Sequence, residues 1–89
     1  MKKRKLKGIF CEACRGSRLL QDVADELERA TKLHKPLNSA HEGLAVIEEE
    51  FIELRREVFK RQEKHDKKAM REECIQIAAM ALRFVRDLL

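Results

Sequence analysis

Three stretches of the chain carry apolar residues at the three- and four-residue spacing of a helix with one buried face. The first is expected from about Ser17 to Lys35, with Leu19, Leu20, Val23, Ala24, Leu27, Ala30 and Thr31 inward and Asp22, Asp25, Glu26, Glu28 and Arg29 outward. Ser17, after Gly16, supplies a cap, and Pro36 ends the element or begins the link. The second opens on Ser39-Ala40-His41-Glu42, a capping box in which the Ser hydroxyl takes a free amide and Glu42 reaches back. Its stripe is Leu44, Ile47, Phe51, Leu54 and Val58, with Ile52 and Phe59 beside it, and it is expected to persist to about Lys64.

Asp66 caps a third helix expected to reach about Leu88. Its apolar arc is wide: Cys74, Ile75, Ile77, Ala78, Met80, Ala81, Leu82, Phe84, Val85 and Leu88. A wide arc calls for burial on more than one side. β-branched residues nowhere alternate with polar ones over a useful run, so strands are not expected. The fold class is all-α, an antiparallel helical bundle of about three helices per chain, completed by oligomerisation into a homodimer or homotetramer. The short link around His65–Lys68 favours antiparallel packing of the second and third helices. Residues 1–16 read as a basic N-terminal segment and 17–89 as a single helical domain.

Composition sharpens this picture. Of 89 residues, 44% are hydrophobic and 40% charged, which suits helices with one apolar and one salt-laced face. The net charge of +4 is uneven: Lys2, Lys3, Arg4, Lys5 and Lys7 carry five positive charges, which leaves about −1 for the rest. The basic character therefore belongs to the N-terminal segment. The chain offers no aromatic stacking platform and no helix-turn-helix signature, so nucleic acid is not the expected partner. No stretch has the length and apolarity of a signal peptide or membrane span, and the expected location is cytoplasmic, with no membrane partner.

Three cysteines, an odd number, argue against a disulfide scaffold. Cys11 and Cys14 form a C-x-x-C, but one pair cannot complete a tetrahedral zinc site without a second pair across a subunit interface.

The candidate chemistry lies in the acids. Glu48-Glu49-Glu50-Phe51-Ile52-Glu53 and Glu72-Glu73-Cys74-Ile75-Gln76 each hold polar residues three apart, which fall on neighbouring turns of one helix face. Glu50 and Glu53 flank the apolar stripe, whereas Glu73 falls inside the arc with Gln76 beside it. A buried carboxylate is costly unless paired or bound to a metal, and converging carboxylates repel unless a cation sits among them. Oxygen ligands of this kind suit Mg²⁺ or Mn²⁺. The alternative is a solvated acidic edge balanced by Arg55 and Arg56.

The run His41–Leu54 followed by Arg71–Ala81 resembles MazG-like nucleotide pyrophosphohydrolases, all-α enzymes that include the dimeric dUTPases. The resemblance covers about His41 to Leu89. The family pattern is E-x-x-E on one helix and E-x-x-D on the next, and nineteen residues, Leu54 to Glu72, separate the two motifs here. The resemblance implies Mg²⁺ held by Glu50, Glu53 and Glu73, with Gln76 in the fourth place, and a nucleoside triphosphate split into monophosphate and pyrophosphate. Gln76 departs from the family's Asp: an amide oxygen coordinates a hard cation but brings no charge, which would weaken binding or pass the role to Glu49, Glu57 or Glu72. Glu49 is the expected catalytic group, orienting the attacking water; Lys35 and His41, with Lys32, lie in or beside the link before the acidic helix and are either phosphate contacts or a solvated basic link. The competing expectation is a non-catalytic helical assembly protein with a degenerate metal site.

Overall fold

Local side-chain caps open two of the helices. Ser39 Oγ accepts the amide of Glu42 at 3.1 Å, and Asp66 Oδ1 accepts that of Ala69 at 3.0 Å. Each satisfies an amide that has no partner within its own helix. The computed structural model of the protein describes residues 15–89, and these form three helices: α1 (Arg15–Leu33), α2 (Ala40–Val58) and α3 (Lys67–Leu88). A 3₁₀ turn, Gln62–Lys64, lies between α2 and α3, and the described residues contain no strand. None of these helices is long and apolar enough to cross a membrane. The basic run and the Cys11/Cys14 pair lie outside the described residues.

Several expected boundaries move. Ser17 lies inside α1, which already includes Arg15 and Gly16, so it is not the cap. The helix stops at Leu33 rather than Lys35, because Pro36 disfavours a helical conformation at the residue before it. The capping box is also displaced by one residue: Glu42 Oε1 accepts the amide of Asn38, at 2.6 Å, rather than that of Ser39. The largest difference is at the end of α2, at Val58 instead of Lys64. There the Phe59 amide donates to Arg55 O, and His65 Nε2 donates to the carbonyls of Val58 and Lys60, both at 3.0 Å. The imidazole takes the carbonyl that a continuing helix would offer to Gln62.

α3 is the central element and packs against both α1 and α2, which scarcely touch each other. Where they meet, Ala30, Ala79 and Met80 are buried, with Val23, Leu27, Val46 and Ile47 packed around them. Small residues at Ala30 and Ala79 let the α1 and α3 backbones come close. Leu37, in the link, is buried as well. Asp87 and Arg83 hold that link down: Asp87 Oδ2 accepts the Leu37 amide at 3.0 Å, and Arg83 Nη2 donates to Lys35 O at 2.8 Å. Arg86 joins from the same helix, donating to Asp87 Oδ1 (2.8 Å) and to Thr31 Oγ1 (2.6 Å) at the end of α1.

The expected stripe of α2 divides. Ile47 and Leu54 are half-buried, but Leu44, Phe51, Ile52, Val58 and Phe59 are exposed. The face turned to α3 is Gly43, Ile47, Glu50, Leu54 and Glu57, with Val46 at its edge. On α1, Leu19, Leu20, Ala24 and Thr31 are likewise exposed, leaving Val23, Leu27 and Ala30 to pack.

Gly43 sets the separation of α2 and α3 at one end. A Cβ there would stand 2.5 Å from Phe84 Cδ2 and 3.1 Å from Leu88 Cδ1. Overpacking costs about 1–3 kcal/mol, against about 1 kcal/mol gained from replacing a helical glycine by alanine. Gly43→Ala is therefore expected to lose about 1 kcal/mol of stability in urea titration. Adding Phe84→Leu should recover part of that loss by removing the ring the new methyl group meets.

Candidate metal centre

α2 presents Glu50 and Glu53 on successive turns, and α3 brings Glu73 to meet them. One carboxylate oxygen from each lies within 4.8 Å of the others. Glu50 and Glu73 are half-buried and Glu53 is exposed, so the cluster sits at the rim of the α2–α3 contact. Its position follows from the local pattern: Glu73 shares the inner arc of α3 with Met80, and Glu50 shares the inner face of α2 with Gly43 and Leu54.

The electrostatics follow from the crowding. Burial, then the neighbouring carboxylates, push the Glu73 carboxyl up to about 7. Glu50 is also raised, first by burial and then by repulsion from Glu53, Glu49 and Glu26, while a hydrogen bond with Glu73 pulls the other way. Glu73 Oε1 is buried without a hydrogen-bond partner. Three carboxylates from two helices, with one oxygen orphaned, form an all-oxygen donor set of the type that fits Mg²⁺ or Mn²⁺.

Gln76 is half-buried beside this cluster. Turned with its nitrogen toward Glu50, its amide donates to Oε1 at 2.6 Å and Oε2 at 3.1 Å. In that orientation it is a partner of a ligand rather than a ligand itself, because a protonated amide nitrogen does not coordinate. To act as the fourth ligand, the amide would have to release Glu50 and turn its oxygen inward. α1 contributes a nearby ion pair, Arg29 with Glu26, in which Arg29 Nη2 lies 2.5 Å from Glu26 Oε2.

A cavity of about 510 Å³ opens beside the cluster, between the end of α1, the link and the facing sides of α2 and α3. Glu50 and Gln76 line one part of it, and Arg29, His34, Lys35, Asn38 and Arg83 line others. Of the residues singled out from sequence, Glu49 is exposed and on the cavity wall, and so is Lys35. His41 is exposed in the first turn of α2 and does not line the cavity, and Lys32 pairs with Glu28 at 3.5 Å. Glu72 is exposed, while Glu57, half-buried farther along α2, pairs with Lys60 at 2.9 Å. Sequence reasoning missed Arg83, which is buried on the cavity floor. The signal was available, since a charged residue three and four positions beyond Met80 and Ala79 falls on the same inner arc that exposed Glu73.

No family model, curated protein or solved structure matches the chain.

The raised Glu73 carboxyl has a consequence for stability. The folded protein holds that proton up to about pH 7, whereas the unfolded chain releases it near the ordinary value of 4.5. Between these values the folded state binds more protons, so this group makes stability fall as pH rises. In chelator, the melting temperature should decline from about pH 5 to pH 8. Glu73→Gln should flatten that decline and melt higher than the parent at pH 8, as followed by circular dichroism.

Proposed function

We propose that the protein is a Mg²⁺-dependent nucleoside triphosphate pyrophosphohydrolase, with Mn²⁺ as an alternative cation. The observation that carries this reading is the meeting of Glu50, Glu53 and Glu73 beside a cavity whose wall carries Arg29, Lys35 and Arg83 as well as Glu26, Glu42 and Glu49. The likeness of the acidic motifs to the MazG-like pattern supports it. α2 and α3 are read as an antiparallel pair, because Gly43 meets Phe84 and Leu88 while Glu50 and Glu53 meet Glu73. The wide apolar arc of α3 and the exposed stripe of α2 support a homo-oligomer, dimer or tetramer.

Glu50 and Glu53 from α2 and Glu73 from α3 would hold the cation. The bound cation would supply neutralising charge for the triphosphate oxygens. Glu49, on the cavity wall next to Glu50, takes the proton of the attacking water as its oxygen adds to the α-phosphorus. The bond from that phosphorus to the bridging oxygen breaks, and pyrophosphate leaves. Lys35 and Arg29, both on the cavity wall, would meet the phosphates, Arg29 by exchanging its Glu26 partner, while Arg83 is committed to the link. His41 has no role in this reading, because it lies off the cavity.

A non-catalytic helical assembly protein is the second reading, and Gln76 favours it. With its nitrogen turned inward its amide occupies both oxygens of Glu50, and it supplies no negative charge. In such a protein the Gln76–Glu50 contact would serve to neutralise a relic of the site.

Pyrophosphate release from a panel of nucleoside triphosphates with Mg²⁺ or Mn²⁺ separates the two readings. An active enzyme should lose about 100-fold or more in Glu50→Gln and in Glu73→Gln, equivalent to ~2.7 kcal/mol in the barrier. Gln76→Asp should tighten Mg²⁺ binding and raise turnover. It should melt lower than the parent in chelator and regain more from Mg²⁺, since a ligand bound only to the folded state stabilises it. No release from any triphosphate, with Gln76→Asp changing neither turnover nor metal response, would put the assembly reading first.

A further inference from the structure

Among the described residues, α1 covers one side of the α2–α3 pair and leaves the other side apolar and exposed. Taking about 100° per residue, Leu44, Phe51 and Val58 fall together on that uncovered side of α2. Cys74, Ala81 and Val85 fall on the matching side of α3. All six are exposed, with Leu44, Phe51, Val58 and Val85 each 47–55% accessible. Within the described residues the buried apolar core is only Ala30, Leu37, Ala79 and Met80, and no large side chain is fully buried. Among the described residues, more large apolar side chains are exposed than buried.

Charge along the edge of this face identifies the occupant. Leu44, Phe51 and Val58 are spaced by seven residues, the repeat of a helix seam, and span about 21 Å. Glu48 lies between the first two and Arg55 between the last two. Arg55 is held on the flank by stacking on the Phe59 ring, 5.0 Å from its centroid. The order is apolar, acidic, apolar, basic, apolar. Read from the opposite direction, each acid meets a base and each apolar residue an apolar one. A two-fold interface requires this self-complementarity, because the same patch serves both partners.

We propose that this face is the contact surface of a two-fold homodimer, in which α2 lies antiparallel on the partner's α2 with Phe51 at the axis. The proposal rests on the homo-oligomer reading above and is independent of the chemistry at the acidic cluster. Leu44 then packs on the partner's Val58, and Glu48 comes within one position of the partner's Arg55. The small residues Cys74 and Ala81 leave room beside the seam for the partner helix. The cavity and its carboxylates remain open, since they face the α1 side.

Cysteine cross-linking of the full-length chain, with Cys11→Ser, Cys14→Ser and Cys74→Ser as background, tests the register. Phe51→Cys should oxidise to a covalent dimer on non-reducing gels, since residues on the axis meet their own copies. Leu44→Cys alone should remain uncrosslinked, because its copy lies about 21 Å from it along the seam. Leu44→Cys with Val58→Cys should cross-link. Glu48→Arg should raise the dimer dissociation constant about tenfold, by setting like charges opposite each other, and adding Arg55→Glu should restore it. Sedimentation of the unmodified protein reads assembly separately. A dimer in which Phe51→Cys does not cross-link, or in which the charge swap fails to rescue, overturns this face and leaves the homo-oligomer reading intact. A monomer at tens of micromolar overturns both, and neither result bears on pyrophosphate release.

Discussion

Carboxylate oxygens within 4.8 Å of one another set the terms on which α2 and α3 can pack. At that separation and an effective dielectric of about 20, two full charges repel by about 3 kcal/mol. Glu50, Glu53 and Glu73 cannot all be ionised there without compensation. The protein has two compensations of its own. Burial and crowding hold the Glu73 proton to about pH 7, and the Gln76 amide, when its nitrogen is turned inward, donates to Glu50. Both act on groups that a divalent cation would otherwise neutralise. Gln76 can thus be read in two ways, as a weak substitute for a charged ligand or as a permanent internal counter-dipole. The two differ in which end of the amide faces the cluster.

The clasp at the other end of α3 addresses a different difficulty. The link between α1 and α2 must pass over the cavity, and its backbone needs partners. Asp87 and Arg83 supply them at Leu37 and Lys35. Arg86 and the Leu37 amide hold the Asp87 carboxyl below its ordinary range, so the clasp stays charged where Glu73 becomes protonated. One helix therefore carries a carboxylate pushed up and another pushed down. Burial and then neighbouring carboxylates raise Glu73, whereas the Arg86 guanidinium and the Leu37 amide lower Asp87.

What could be read from sequence follows the range of the interactions involved. Ser39 and Asp66 cap their helices as expected because a cap is settled within four residues. Glu73 on the inner arc, and its approach to Glu50 and Glu53, also followed from helical period and a short link. The end of α2 did not, because His65 takes the Val58 carbonyl from seven residues away. The stripe of α2 was found, but its division was not: Ile47 and Leu54 turn toward α3 while Leu44, Phe51 and Val58 do not. Periodicity locates an apolar stripe without saying which part of it the chain itself covers. Ser17 and Arg83 show the same limits on a smaller scale. The cap at Ser17 was overruled by a helix that begins earlier. Helical period places Arg83 on the inner arc, but its partner, the Lys35 carbonyl, is 48 residues distant and beyond the reach of local pattern.

The two faces of the α2–α3 pair divide its tasks. Glu50 and Gly43 look toward α3, Glu49 toward the cavity, and Phe51 away from both. Residues adjacent in sequence thus serve a candidate site, a helix contact and an open apolar surface. A helix of 3.6 residues per turn allows this only if its rotation is fixed, since a turn of one position would bury Phe51 and expose Glu50. Gly43, pressed against Phe84 and Leu88, supplies that constraint at one end, because any larger residue would push α2 off its seat. The spacing of the carboxylates at the middle of the pair is therefore governed in part by a glycine two turns away that carries no chemistry of its own.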